Sequence, residues 1–84
     1  MTDIYFNSLG QYNQYVVIYR KAVLLAHRTA GDFHYILYQL HNFYIEVKYD
    51  LNRNEIDSLK TFSDTSSLDP YLENIKIDFL IHDN

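Results

Sequence analysis

Residues 33–50, FHYILYQLHNFYIEVKYD, read as two β-strands folded back on each other at His41-Asn42. With those two residues at the centre of a tight turn, Leu40 faces Phe43, Tyr38 faces Ile45, Ile36 faces Val47 and His34 faces Tyr49. Side chains alternate across a strand, so these eight residues share one sheet face. All of them except His34 are apolar or aromatic. The opposite face pairs Gln39 with Tyr44, Leu37 with Glu46, Tyr35 with Lys48 and Phe33 with Asp50, the mixed character of a half-solvated surface. A slip of one residue would turn the apolar set to water, so the pattern specifies its own register. The expected core is Ile36, Tyr38, Leu40, Phe43, Ile45 and Val47. The turn fits less well, because a type I′ turn needs positive φ at both centres and His-Asn accepts this less readily than Asn-Gly.

Upstream, Tyr12, Tyr15, Val16, Tyr19, Ala22, Val23 and Ala26 recur at spacings of three and four. That is the stripe of an amphipathic helix. Ser8-Leu9-Gly10-Gln11 fits a capping box, Arg28 suits the negative end of the helix dipole, and Gly31 suits a left-handed cap. The spacing predicts one helix from about Leu9 to Ala30, about 33 Å long at the standard rise. Val17 and Leu24 lie opposite the stripe, so this helix would be apolar on more than one side. Burial on two sides and a self-association seam both explain that, and the β-branched and aromatic content of YVVIYRKAVLL also allows a strand. Residues 1–7 read as a docked tail or a short leading strand.

Downstream, Leu51-Asn52-Arg53-Asn54 is a polar turn into a third strand, Glu55 to Ser63. A simple register would point Ser58 and Lys60 inward and Leu59 outward. A β-bulge near Asp57-Ser58 brings Ile56 and Leu59 to one face instead. Asp69-Pro70 opens a short helix over about Pro70–Asn74. Ile75, Ile77, Phe79 and Ile81 then alternate with Lys76, Asp78, Leu80 and His82 as a terminal strand. The expected architecture is therefore a single α+β domain over residues 1–84. A long N-terminal helix packs on an antiparallel β-meander of three strands, and a short helix and a terminal strand follow.

The chain has 84 residues, 48% hydrophobic and 17% aromatic, enough for a core though a thin one for a monomer. It has no cysteine, which excludes disulfides, a thiol nucleophile and Cys-based zinc sites, and is compatible with a reducing cytoplasm. Residues 1–31 carry one acidic and three basic residues, for +2; residues 32–84 carry ten acidic and four basic, for −6. Phosphate-binding domains usually carry a basic excess, so nucleic acid is not the expected partner, and no apolar run is long enough for a membrane span.

No pattern nominates a catalytic residue, a cofactor or a metal. His27, His34, His41 and His82 include no HxxxH or HxH pair. The two glycines fit no phosphate-cradling loop. The remaining signal is aromatic and apolar surface: Tyr35, Leu37 and Tyr44 on the outer hairpin face, with Val17 and Leu24 on the helix. Cover by a helix would make the outer hairpin face ordinary core, protein–protein interfaces favour such residues, and a base-stacking platform fits the acidic balance least. For the protein as a whole, self-association is the leading expectation. One alternative is a small-molecule or peptide pocket between helix and sheet, lined by tyrosines with His34 and Tyr49. Another is an acidic inhibitor of a basic partner protein.

Overall fold

The computed structural model describes residues 1–71. In chain order it contains α1 (Asp3–Ser8), α2 (Gln11–Lys21), β1 (Val23–Ala30), β2 (Phe33–Leu40), β3 (Phe43–Asp50), β4 (Glu55–Phe62) and a 3-10 helix (Thr65–Tyr71). The four strands form one antiparallel sheet in the order β1-β2-β3-β4. The architecture is α+β with an antiparallel meander, but the helices are short and the meander has four strands.

The central hairpin has the expected register. Leu40 pairs with Phe43, Tyr38 with Ile45, Ile36 with Val47 and His34 with Tyr49. Leu40, Phe43, Ile45 and Val47 are buried, and Ile36 and Tyr38 pack half-buried against them. The turn differs from a type I′ turn: positive φ occurs at His41 (57°) and not at Asn42. A single left-handed residue, which His tolerates better than a β-branched residue does, closes the hairpin.

The long helix over Leu9–Ala30 does not form. Residues 1–7 are neither strand nor simple tail, since α1 begins at Asp3 with the Thr2 hydroxyl capping the Tyr5 N–H at 3.1 Å. Leu9 and Gly10 are both extended and break the helix, and Gly10 rather than Ser8 is the N-cap of α2. The Ser8 hydroxyl instead donates to the Tyr5 carbonyl at 2.6 Å. Ala22 is extended again, and the chain continues as β1. Gly31, at φ 61°, is the turn between β1 and β2 and not a helix cap. Two causes convert Val23–Ala30 from helix to strand. Its β-branched and apolar residues tolerate a pleated conformation, and the two-residue link at Gly31-Asp32 delivers it directly to the open edge of β2.

β1 contains a bulge at Leu25, between the pairs Leu24–Tyr38 and Ala26–Leu37. In β4, Tyr49 pairs with Ile56 and Lys48 with Ser58, so Asp57 is the extra residue. This is the expected bulge, and it places both Ile56 and Leu59 against the core. The β3–β4 turn is held by the Asp50 carboxylate, which accepts the N–H groups of Asn52 (2.9 Å) and Arg53 (3.1 Å).

α1 and α2 cover the sheet face that carries Ile36, Tyr38, Leu40, Phe43, Ile45 and Val47. Phe6 is fully buried with its ring 6.1 Å from that of Phe43, and Ile18 is the buried residue of α2. The Gln14 amide donates to the Phe6 carbonyl at 3.1 Å, and the Asn7 amide donates to the Thr61 hydroxyl at 2.8 Å. These two bonds tie the helices to each other and to β4. The short helix starts earlier than Pro70, spanning Thr65–Tyr71 with Pro70 inside it. The expected helix beyond Tyr71 and the terminal strand over Ile75–His82 lie outside the described residues.

Truncating Phe6 to Ala removes a fully buried aromatic ring and should lower stability by about 3–5 kcal/mol in urea titrations. At Gly31 an added Cβ meets no neighbour, so only the left-handed backbone resists it. Gly31→Val should therefore destabilise by roughly 1–2 kcal/mol, with no change in the sheet's circular dichroism.

Candidate functional site

Three surfaces hold the residues of interest: the outer sheet face, a groove under α2, and the edge at β1, which pairs with no further strand among the described residues. On the outer face, Arg28 of β1 pairs with Tyr35 of β2, and Leu37 of β2 pairs with Glu46 of β3. Tyr71, from the end of the 3-10 helix, is fully buried over this face. Its hydroxyl donates to Glu46 Oε2 at 2.7 Å, and the Arg28 guanidinium stands 4.0 Å from the same oxygen. Arg28 is also sandwiched, 4.1 Å from the Tyr35 ring centroid and 5.2 Å from that of Tyr71. Arg28 Nε is buried without a hydrogen-bond partner among the described residues. An unsatisfied donor of this kind costs about 1–3 kcal/mol, and two cation–π contacts offset part of it at about 0.5–2 kcal/mol each.

Leu37 is thus interior, with none of its surface exposed. Tyr35 is half-buried beneath Arg28, and Tyr44 is half-buried and stacked on Phe62 at 5.5 Å. Glu46 is no solvated strand residue, because its carboxylate is the acceptor around which Arg28 and Tyr71 converge. Burial, followed by the hydrogen bond to Glu46 and its charge, raises the Tyr71 hydroxyl pKa well above the ordinary phenol value.

On the inner face, a groove of about 260 Å³ runs between α2 and the sheet. Tyr15, Ile18 and Tyr19 form one wall, and Ile36, Tyr38, Val47, Tyr49 and Ile56 the other. Tyr49 belongs to this groove, and its hydroxyl donates to the Asn54 side chain at 2.6 Å. His34, its partner across the β2–β3 ladder, is absent from the lining. It turns toward β1 instead, with Nδ1 2.8 Å from the Thr29 hydroxyl and its ring 5.2 Å from that of His27.

The third surface is β1, an edge strand. Val23, Leu24 and Leu25 are 61%, 57% and 40% exposed. Leu24 therefore lies on a sheet edge and not on a helix, while Val17 remains on α2, half-buried against the core. Tyr12 and Tyr19 of α2 are also exposed, and sequence reasoning assigned both to a buried stripe. The proximity of His27 and His34 was equally invisible at the sequence level, because a helix ending at Ala30 separates them. The signal that finds it is a hairpin turn at Gly31-Asp32, which sets Thr29 opposite His34 and His27 opposite Ile36.

Among the described residues no group of three or more His, Cys, Asp or Glu side chains could hold a metal ion. No described helix is long and apolar enough to cross a membrane. Comparison with protein-family models, with curated proteins and with solved structures gives no match.

The protonation state of Tyr71 predicts a pH dependence. Its pKa in the folded chain is raised above the unfolded value, so its contribution to stability is complete below about pH 10, the unfolded phenol range, and is lost as pH rises further. Urea titrations from pH 7 to pH 11 should show a falling midpoint, and Tyr71→Phe should flatten that fall. An identical alkaline slope in both proteins would contradict the assignment.

Proposed function

We propose that this chain is a small protein-interaction domain that self-associates through the exposed edge of β1. The observation that carries the reading is the run Val23-Leu24-Leu25, three large apolar side chains exposed beside a sheet edge that pairs with no other strand among the described residues. Edge strands expose unpaired N–H and C=O groups, and soluble proteins usually blunt them with charge, bulges or cover. The other edge, β4, follows that practice: Glu55, Asp57, Ser58 and Lys60 are exposed along it, and Asp57 forms its bulge. β1 has a bulge at Leu25 but no charge between Val23 and Ala26.

A second copy is the occupant that fits this edge. An antiparallel pairing centred between Leu24 and Leu25 sets the uncharged segment Val23–Ala26 against itself, with no like charges opposed inside it. The one charged side chain of the strand, Arg28, is turned onto the outer face between Tyr35 and Tyr71. The acidic balance of residues 32–84 supports a protein partner over nucleic acid. The cysteine-free composition is the sole support for placing the protein in the cytoplasm.

A second reading rests on the groove beneath α2. Its lining of four tyrosines and four aliphatic residues, with no charged side chain, suits a small uncharged ligand with apolar bulk and a few hydrogen-bonding groups.

Light scattering coupled to gel filtration at tens of micromolar should give twice the 10.1 kDa chain mass. Leu24→Lys, which places a charge in the middle of the edge, should return the protein to a monomer with its fold intact. A wild-type monomer throughout that range removes the reading.

A further inference from the structure

We propose that His27 and His34 form a two-histidine site for a borderline divalent transition ion, zinc being the type case. The site goes beyond self-association and does not depend on it. His27 lies on β1 and His34 on β2, on the helix-covered side of the sheet, offset diagonally across the ladder. Their ring centroids are 5.2 Å apart. Imidazole nitrogens bind zinc at about 2.0–2.1 Å, so two rings sharing a tetrahedral ion have their centroids about 5 Å apart. The observed separation matches that spacing.

The Thr29 hydroxyl strengthens the assignment. It engages His34 Nδ1 at 2.8 Å, which fixes the ring's orientation. When Nδ1–H donates to the Thr29 oxygen, the Nε2 lone pair is left to bind an ion. A metal-binding histidine usually donates its second ring N–H to a carboxylate, backbone carbonyl or water, and here the Thr29 hydroxyl takes that place. His27 is exposed and forms no hydrogen bond among the described residues, so its ring can rotate to offer either nitrogen. The one cation on β1, Arg28, points to the opposite face, and β2 carries none, so neither histidine has a positive neighbour on its own strand and face.

Two imidazoles fill half of a tetrahedral shell. The remaining positions are open to water or to an exchangeable donor, since no third His, Cys, Asp or Glu joins the pair among the described residues. Neutral imidazoles select zinc, copper, nickel or iron over magnesium and calcium, which prefer oxygen donors.

The test is a zinc titration of the whole chain at pH 7.5 by calorimetry, with the histidine ring signals followed by NMR. Binding near one ion per chain, with the ring signals of His27 and His34 shifting together, is expected. His27→Gln, at an exposed position that leaves the sheet intact, should weaken zinc binding by about tenfold or more. Thr29→Val keeps both imidazoles and should weaken binding within a range of about 10–100-fold, by loss of orientation alone. His41→Ala removes a histidine at the opposite end of β2 and should bind as the wild type does. Wild-type affinity in His27→Gln, or zinc that shifts neither ring, overturns the site and leaves the two histidines as a packing pair.

Discussion

The register between β2 and β3 is the constraint on which the rest of the fold depends. Three facing pairs, Leu40–Phe43, Tyr38–Ile45 and Ile36–Val47, set one apolar surface, and every other element is arranged by its relation to that surface. α1 and α2 lie on it through Phe6, Val17 and Ile18. β4 needs a bulge to serve it, because its apolar residues Ile56 and Leu59 are three apart and would otherwise fall on opposite faces. The cost is one unpaired residue, Asp57, at an edge where a charged side chain is an asset.

The other face of the same hairpin is organised by charge. Glu46 sits opposite Leu37 and binds Tyr71, while Arg28 reaches across from β1 to stack on two aromatic rings. A half-buried ion pair of this kind, 4.0 Å apart, is weak evidence of net stability, because both charges lose part of their water. Its value is positional. It holds the 3-10 helix over the sheet at one place, where the Tyr71 hydroxyl meets the carboxylate. The sheet is thus covered by apolar packing on one side and by a polar lock on the other.

Much of this was legible in the chain. The hairpin register, its core residues and the β4 bulge follow from a period of two in Phe33–Asp50 and from the spacing of Ile56 and Leu59. The region before Gly31 was misread for a physical reason. Tyr12 to Ala26 satisfies a helical period, but that period runs unchanged through Ala22, where the backbone becomes extended. No proline or glycine marks the switch, although Arg20 and Lys21 suit the negative end of a helix that stops at Lys21. Gly31 fits a helix cap and a hairpin turn equally, since both need a left-handed residue. The awkward position of Leu24, opposite the helical stripe, was the local sign of the error. A strand places it at the sheet edge without difficulty. The same misreading hid the meeting of His27 with His34, which depends on β1 rather than on the hairpin's own pattern.

The strictly sequential strand order has a kinetic consequence. Among the described residues each strand pairs only with its neighbours in the chain, across links of two residues at Gly31-Asp32 and His41-Asn42 and four at Leu51–Asn54. Short closures of this kind involve little loop entropy, and a sheet built from them can grow outward from its central hairpin one strand at a time. The last strand to join on one side is β1 and on the other β4, so these are also the first that can leave. Reversible fraying would begin at an outer strand, β1 or β4, while the β2–β3 hairpin stays paired, a sub-global opening of the kind seen in amide hydrogen exchange.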